Sequence, residues 1–592
     1  MSVFKCADTS TSTPRLPATL APQHKVLELF AGVGGFHHGL EQANQQRHAL
    51  GLPRAFDVVW ASQWEPGSKK QHAARVYQAR WGLAPVNRDL AEVLDDPAEL
   101  ARIDALAPTM VVGGFPCQDY SVARPASQSE GLKGKKGVLW WSIHRLLEIR
   151  IEAGQPVQQV LLENVDRLIS SPSACPGRDL ATILASLQSL GYAASWKVVN
   201  SGEYGYAQRR KRVFIAAVHQ STPEYQHLQA AASDPLTLLT SANPLAQAFP
   251  GDMTGTVASF ELGHDVYEAQ ESYQPDAGGK SRFANTGVCI GGLVFTGKVC
   301  APTLSDFTAF TGHPKPLTLG DVVVQTRDVP ESFYINHTAM APWEYAKGAK
   351  SIPRVSATGF AYNFSEGAMS FPDSLDRPSR TIITSEGGTS ASRTKHVVRA
   401  ADGRLRRLTP EELEELNGFP RGFTSLDAVN DIARARLMGN ALITGVVACI
   451  AAAMVEGAPS DPVARTATDS IASRADFANG LPRSGIVHNF ADTLHLTDLV
   501  STGDWTYSLS LYADLTCALF FDVKLVGHFM PTVAYRFTSL ANLRDNVGTR
   551  LAATRIPPPL LAAILGAIPK FIADAELAYT TGQQSLQPIL ET

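Results

Sequence analysis

Short apolar runs, each ending in a chemically distinctive residue, alternate with helix-like stretches over residues 24–220 and predict an α/β fold built on a doubly wound sheet. The first run, Val26-Leu27-Glu28-Leu29-Phe30-Ala31-Gly32-Val33-Gly34-Gly35-Phe36, reads as a strand entering a glycine turn and then a helix. Such a turn lets a nucleotide-type ligand approach the backbone at a helix N-terminus, although glycine turns also serve packing alone. The second, Thr109-Met110-Val111-Val112, runs into Gly113-Gly114-Phe115-Pro116-Cys117-Gln118. One thiol is thereby fixed at a strand's carboxyl end, where open α/β sheets place reactive groups; a buried inert cysteine is the competing reading. The third, Val160-Leu161-Leu162-Glu163-Asn164-Val165, ends in a carboxylate and an amide, which a buried strand seldom does without a partner for the charge.

Gln208-Arg209-Arg210-Lys211-Arg212 comes just before another apolar run, 213–218. Strand side chains alternate, so Gln208, Arg210 and Arg212 share one face while Arg209 and Lys211 share the other. A lone basic cluster is usually a solvated face. Three strands ending in a thiol, a carboxylate and guanidinium groups point instead to one site.

Composition restricts the function classes. At 592 residues the chain exceeds one ordinary domain. Seven cysteines without a C-x-x-C pair argue against a disulfide framework and a zinc cluster, so no metal is expected. Residues 1–23 are Ser/Thr/Pro-rich without a continuous apolar core and read as a flexible tail rather than a signal. The longest apolar stretch, 441–455, is too short to span a membrane and reads as a buried helix. The expected setting is therefore cytoplasmic, without membrane contact. A net charge of -4 means that any basic surface must be local.

In these residues the chain resembles the cytosine-C5 DNA methyltransferases of bacterial type. Phe30–Gly35 (FAGVGG) resembles that family's methyl-donor motif, GGFPCQ its nucleophile motif, ENV its acid motif and QRRKR its Gln-x-Arg-x-Arg motif. Arg377-Pro378-Ser379-Arg380-Thr381-Ile382-Ile383-Thr384 and Gly439-Asn440-Ala441-Leu442 resemble its last two motifs. Between them, Arg407-Leu408-Thr409-Pro410-Glu411-Glu412 and Asn417-Gly418-Phe419-Pro420 are also family-like.

The resemblance implies a Rossmann-like, S-adenosylmethionine-dependent fold and DNA (cytosine-5-)-methyltransferase activity on double-stranded DNA. Cys117 is then the nucleophile at carbon 6 of a flipped cytosine and Glu163 the proton donor at ring nitrogen 3. Arg212 contacts the exocyclic oxygen, Arg210 holds the loop and the adduct, and Gln208 and Asn164 orient backbone. S-adenosylmethionine would lie on Phe30, Gly32, Gly34, Gly35, Gly114, Asn440 and Ala441, with Asp89 on the adenine amino group. In Ala61-Ser62-Gln63-Trp64-Glu65-Pro66, Trp64 fits the stacking position; Gln63 stands where the family carries a ribose-binding glutamate, and Glu65 follows two residues later, leaving the ribose contact open between them. A basic loop over 119–139 is expected to close on DNA, with Ser121, Arg124 and Lys136 as contacts and Lys133 and Lys135 as attraction.

The implied organisation is a tail (1–23), a first catalytic part (24–220), a smaller irregular β-rich target-recognition domain (221–376), a return to the catalytic domain (377–456), a linker (457–484) and a C-terminal α+β extension (485–592). Trp343, Tyr345, Lys347, Lys350 and Arg354 are candidate DNA contacts in the recognition region, against the commoner reading of each as a structural or merely exposed residue. A monomer is expected, in a restriction-modification system whose endonuclease it need not touch. The alternatives are a catalytically silent DNA-binding protein of the same fold and a methyltransferase acting on RNA.

Overall fold

The computed structural model describes residues 22–50, 52–115, 139–262, 272–323, 329–355 and 361–456, positions 266 and 269, the backbone of five strands between 483 and 537, and helical positions between 543 and 573. The chain divides into two compact units, Met1–His48 with Pro53–Pro459, and Ala49–Leu52 with Ser460–Thr592.

The first unit is built on a nine-stranded sheet. Its strands are β1 (His24–Leu29), β2 (Phe56–Ala61), β3 (Met110–Gly114), β4 (Gln159–Val165), β5 (Tyr192–Asn200), β6 (Lys211–His219), β7 (Asp252–Glu261), β8 (Thr286–Ile290) and β9 (Leu293–Cys300), in the order β2-β1-β3-β4-β6-β5-β8-β9-β7. Strands β2, β1, β3 and β4 are parallel, and every pairing from β4–β6 outward is antiparallel.

Alternation along the strands feeds two cores. Val26, Met110, Val112 and Leu161 pack with Phe36, Leu40 and Ala43 of α1 (Gly35–Ala49) and with Val447, Ile450 and Met454 of the helix Thr444–Glu456. Leu27, Leu29, Val111, Val160 and Leu162 pack on the other face with the helices Leu139–Glu152 and Arg178–Ser189. Both faces are covered, so these strands read as near-continuous apolar runs. The segment 441–455 is thus a core element, as its composition suggests.

The sheet does not end where the recognition region was expected to begin. Strands β7, β8 and β9 all follow residue 220 yet extend the sheet from β5, with Ala194, Ser195 and Trp196 opposite Cys289, Val288 and Gly287. Gly287 permits this pairing, because a Cβ there would lie 2.1 Å from the Trp196 ring. The irregular part begins near residue 301, with short helices such as Met340–Lys347 and the hairpin of β10 (Lys350–Val355) and β11 (Ala361–Glu366).

The second unit contains a five-stranded antiparallel meander whose strands are Arg483–Phe490, Thr493–Thr502, Trp505–Leu511, Cys517–Leu525 and His528–Phe537. Among its helical positions, Ile564, Ala567, Ile568 and Ile572 are buried at helical spacing.

Candidate active site

The site is assembled at the carboxyl ends of β1, β3 and β4 and the start of β6. Strand pairing sets Glu163 opposite Gly114 on one side and Phe214 on the other. Arg212 Nε donates to Glu163 Oε1 at 2.8 Å, and both side chains are largely buried. Arg212 Nη1 turns back to the Lys211 carbonyl. A Cβ at Gly114 would stand 3.3 Å from Glu163 Oε2, so the glycine leaves room for this carboxylate. Asn164 Nδ2 donates to the Phe115 carbonyl at 3.0 Å, and its Oδ1 accepts from the Val165 amide, fixing the backbone that leads into Pro116 and Cys117.

The expected alternation across 208–212 is present: Gln208 and Arg210 are buried, Arg209 and Lys211 exposed. Arg210 is held by two backbone carbonyls. Its Nη1 donates to the Ile382 carbonyl at 3.0 Å and its Nη2 to the Gly439 carbonyl at 3.3 Å, joining two late segments to the start of β6. Burial first, and then the Arg212 charge, pull its pKa down to about 9, so it stays charged at neutral pH. Gln208 accepts from the Ile382 amide and donates to the Leu416 carbonyl and to Asn417 Oδ1. Arg210 and Arg212 also line a small cleft with Ser201, Phe214, Leu442 and Ile443, which brings the Gly-Asn segment to the same edge.

The glycine turn forms a second ledge. Phe30, Gly32 and Gly34 have φ of 53°, 58° and 90°. A Cβ at Gly34 would lie 2.2 Å from Trp81 Nε1 and one at Gly35 3.1 Å from Leu442, whereas Gly32 faces open space. Gln63 Oε1 accepts from the Gly32 amide at 2.7 Å, and Trp64 beside it is 40% exposed. Asp89 caps the helix Leu90–Leu94, with Oδ1 accepting from the Ala91 amide. Asn440 is exposed at the end of the helix Asp431–Asn440, followed by half-buried Ala441.

Beneath this ledge Glu28 is fully buried, accepting from Tyr77 Oη at 2.9 Å and the His37 amide at 3.2 Å. Burial pushes its pKa up to about 8. His37 Nδ1 also meets Tyr77 Oη at 2.9 Å, and its ring stacks on Trp81 at 3.9 Å. Glu28, Tyr77 and Trp81 were not singled out from sequence. The signal for Glu28 was a charge inside an otherwise apolar strand.

Cys117, Ser121, Arg124, Lys133, Lys135 and Lys136 lie outside the described residues. For two of the recognition-region candidates the structural reading holds. Trp343 is 2% exposed, and Lys347 is equally buried, its Nζ donating to the carbonyls of Arg393 and Lys395, so both support the fold and neither presents a surface. Tyr345 is exposed with Lys350 over its ring at 4.5 Å, and Arg354 lies over Phe364 at 4.0 Å on the hairpin.

The family model for the C-5 cytosine-specific DNA methylases matches residues 24–456. The chain belongs to this family. Over 429 residues it is 38% identical to the type II methyltransferase M.Sau3AI of Staphylococcus aureus, covering 72% of this chain and 93% of that protein. It is 30% identical over 202 residues to M.NgoBI of Neisseria gonorrhoeae, covering 34% and 53%. Among solved structures, the Dnmt2 methyltransferase of S. pombe aligns with a TM-score of 0.42 at 14% identity, covering 73% of this chain and 98% of that one. This C-5 cytosine methylase is therefore a DNA methyltransferase of the type II kind, with S-adenosylmethionine as its methyl donor. The ledge fits that donor, since Gly32 leaves its backbone open and the exposed Trp64 offers an aromatic face beside it.

Proposed function

We propose that this enzyme methylates carbon 5 of a cytosine flipped out of duplex DNA, sequence-specifically and through a covalent adduct with Cys117. The observation that supports this most is the Glu163–Arg212 pair at 2.8 Å, set beside Gly114 on the strand whose continuation carries Cys117. Carbon 5 of cytosine is a poor nucleophile. Attack of the Cys117 thiolate on carbon 6 forms a C–S bond and pushes electron density into the ring. Glu163 supplies or shares the proton that ring nitrogen 3 then takes up. Arg212 orients Glu163 through Nε and directs Nη2 to the exocyclic oxygen.

Arg210 acts one layer back, by tying Ile382 and Gly439 to the strand that carries Arg212. S-adenosylmethionine supplies the methyl group at carbon 5. Loss of the carbon 5 proton to a base, departure of Cys117 as thiolate and return of the nitrogen 3 proton to Glu163 then restore the aromatic ring. Flipping costs a few kcal/mol, which pocket and backbone contacts offset; Ser121, Arg124 and Lys136 are assigned to those contacts.

For the donor, Gln63 rather than Glu65 meets the ribose. Its Oε1 already takes the Gly32 N–H, which leaves Nε2 to donate to a hydroxyl. Trp64 stacks on the adenine, and Asp89 accepts from its amino group through the oxygen not used in capping. Residues 301–376 hold the outward part of the target-recognition region. The setting is a cytoplasmic restriction-modification system, with the enzyme acting as a monomer and a cognate endonuclease that it need not touch.

Purified enzyme is expected to transfer labelled methyl from S-adenosylmethionine to plasmid DNA. Cys117→Ala should abolish transfer and keep S-adenosylhomocysteine binding. Bisulfite reading of plasmid from an expressing cell checks this in vivo, and a plasmid without methylated cytosine would leave the silent DNA-binding reading in its place.

A further inference from the structure

We propose that Gln71 is a positioning residue for the methyl donor: its side chain locks the turn that presents Trp64 to the adenine, a role that rests on the stacking assigned to Trp64. After β2 the chain passes Gln63 and Trp64 and turns through Glu65-Pro66-Gly67-Ser68, closed by the Ser68 amide on the Glu65 carbonyl at 3.1 Å. Gln71 reaches back over this turn. Its Oε1 accepts from the Glu65 amide at 3.0 Å, and its Nε2 donates to the carbonyls of Glu65 at 2.8 Å and Ser68 at 2.7 Å.

Only a primary amide accepts one backbone N–H while donating to two carbonyls; a carboxylate has no donor. To make these bonds Gln71 adopts φ 42° and ψ 52°, a left-handed conformation that non-glycine residues seldom hold unless their surroundings impose it. Gln71 also begins α2 (His72–Trp81), whose Tyr77 and Trp81 reach under the glycine turn, with Trp81 Nε1 donating to the Val33 carbonyl. Trp64 is thus held from both sides, by Gln63 on Gly32 before it and by Gln71 after it. A turn already ordered spares the donor the cost of ordering it on binding.

The test compares full-length wild type, Gln71→Ala, Gln71→Gly, Trp64→Ala and the Trp64→Ala/Gln71→Ala double variant. Calorimetry gives the Kd for S-adenosylhomocysteine, and methyl transfer gives KM for the donor and kcat. Both Gln71 variants are expected to bind about tenfold more weakly, equivalent to about 1.4 kcal/mol. KM for the donor should rise in step, with kcat at saturating donor within about twofold of wild type. Glycine relieves the backbone strain, so Gln71→Gly should melt no lower than Gln71→Ala and still bind poorly. In the Trp64→Ala background, losing Gln71 should cost nothing more. Wild-type affinity in Gln71→Gly would overturn the proposal. So would additive losses in the double variant, which would leave the stacking by Trp64 standing. Unchanged affinity in Trp64→Ala would remove the stacking reading, and the proposal with it.

Discussion

Individual side chains here are often settled by which hydrogen-bond roles remain open to them. Glu28 is the sharpest case, a fully buried carboxyl with its pKa raised to about 8 by burial. When protonated, it donates to Tyr77 Oη, which frees the tyrosine proton for His37 Nδ1, and its other oxygen keeps the His37 amide. The folded state then holds a proton that the unfolded chain, with an ordinary carboxyl, releases above about 4.5. The group's stabilising contribution is complete below that value and is lost as the pH rises toward 8, by about 1.4 kcal/mol per pH unit. Glu28→Gln keeps one acceptor for the His37 amide and donates to Tyr77 through Nε2 without titrating. Urea unfolding from pH 5 to 9 should show the wild type losing ground to Glu28→Gln as the pH rises. Parallel curves would mean that Glu28 is ionised throughout.

At the scale of elements, strands β1, β3, β4 and β6 were legible because each joins a continuous apolar run to a glycine pair, a carboxylate or a basic cluster. The alternation across 208–212 was legible too, since a period of two needs no knowledge of partners. Strands β7–β9 were not, because their place in the sheet is set by pairings such as Ala194 with Cys289, far apart in sequence. The staple made by Gln71 and the link between Gln208 and Asn417 were hidden for the same reason, as bonds between loops leave no periodicity. That link carries a prediction. Asn417 Nδ2 donates to the Leu413 and Met438 carbonyls, so Gln208 and Asn417 together join β6, the 379–384 segment and the end of the helix Asp431–Asn440. Gln208→Ala leaves several buried groups unpaired and should lower stability by about 2–4 kcal/mol. Arg209→Ala, one residue on and exposed, should stay within about 0.5 kcal/mol. Denaturant midpoints of the two variants check this, and equal losses would remove the clamp.

At the scale of the whole molecule, the match to the family and the division of the chain coincide. The family model ends at residue 456, and the first compact unit ends at Pro459. Every donor and acid residue described above lies in that unit, and its cores close on themselves, with the helix Thr444–Glu456 completing one face of the sheet. M.Sau3AI, aligned over 93% of its length, uses only 72% of this chain, so a relative of the same kind is nearly complete over a shorter length than this chain's. The second unit has its own meander and buried helical positions. A chain ending at residue 459 is therefore expected to stay soluble, to bind S-adenosylhomocysteine within about twofold of the full chain and to melt in one transition, since it retains a complete core. Calorimetry and thermal melts of the two forms decide it. Loss of binding, or insolubility rescued by restoring 460–592, would make the second unit part of the enzyme's core and move the boundary of the catalytic domain to the end of the chain.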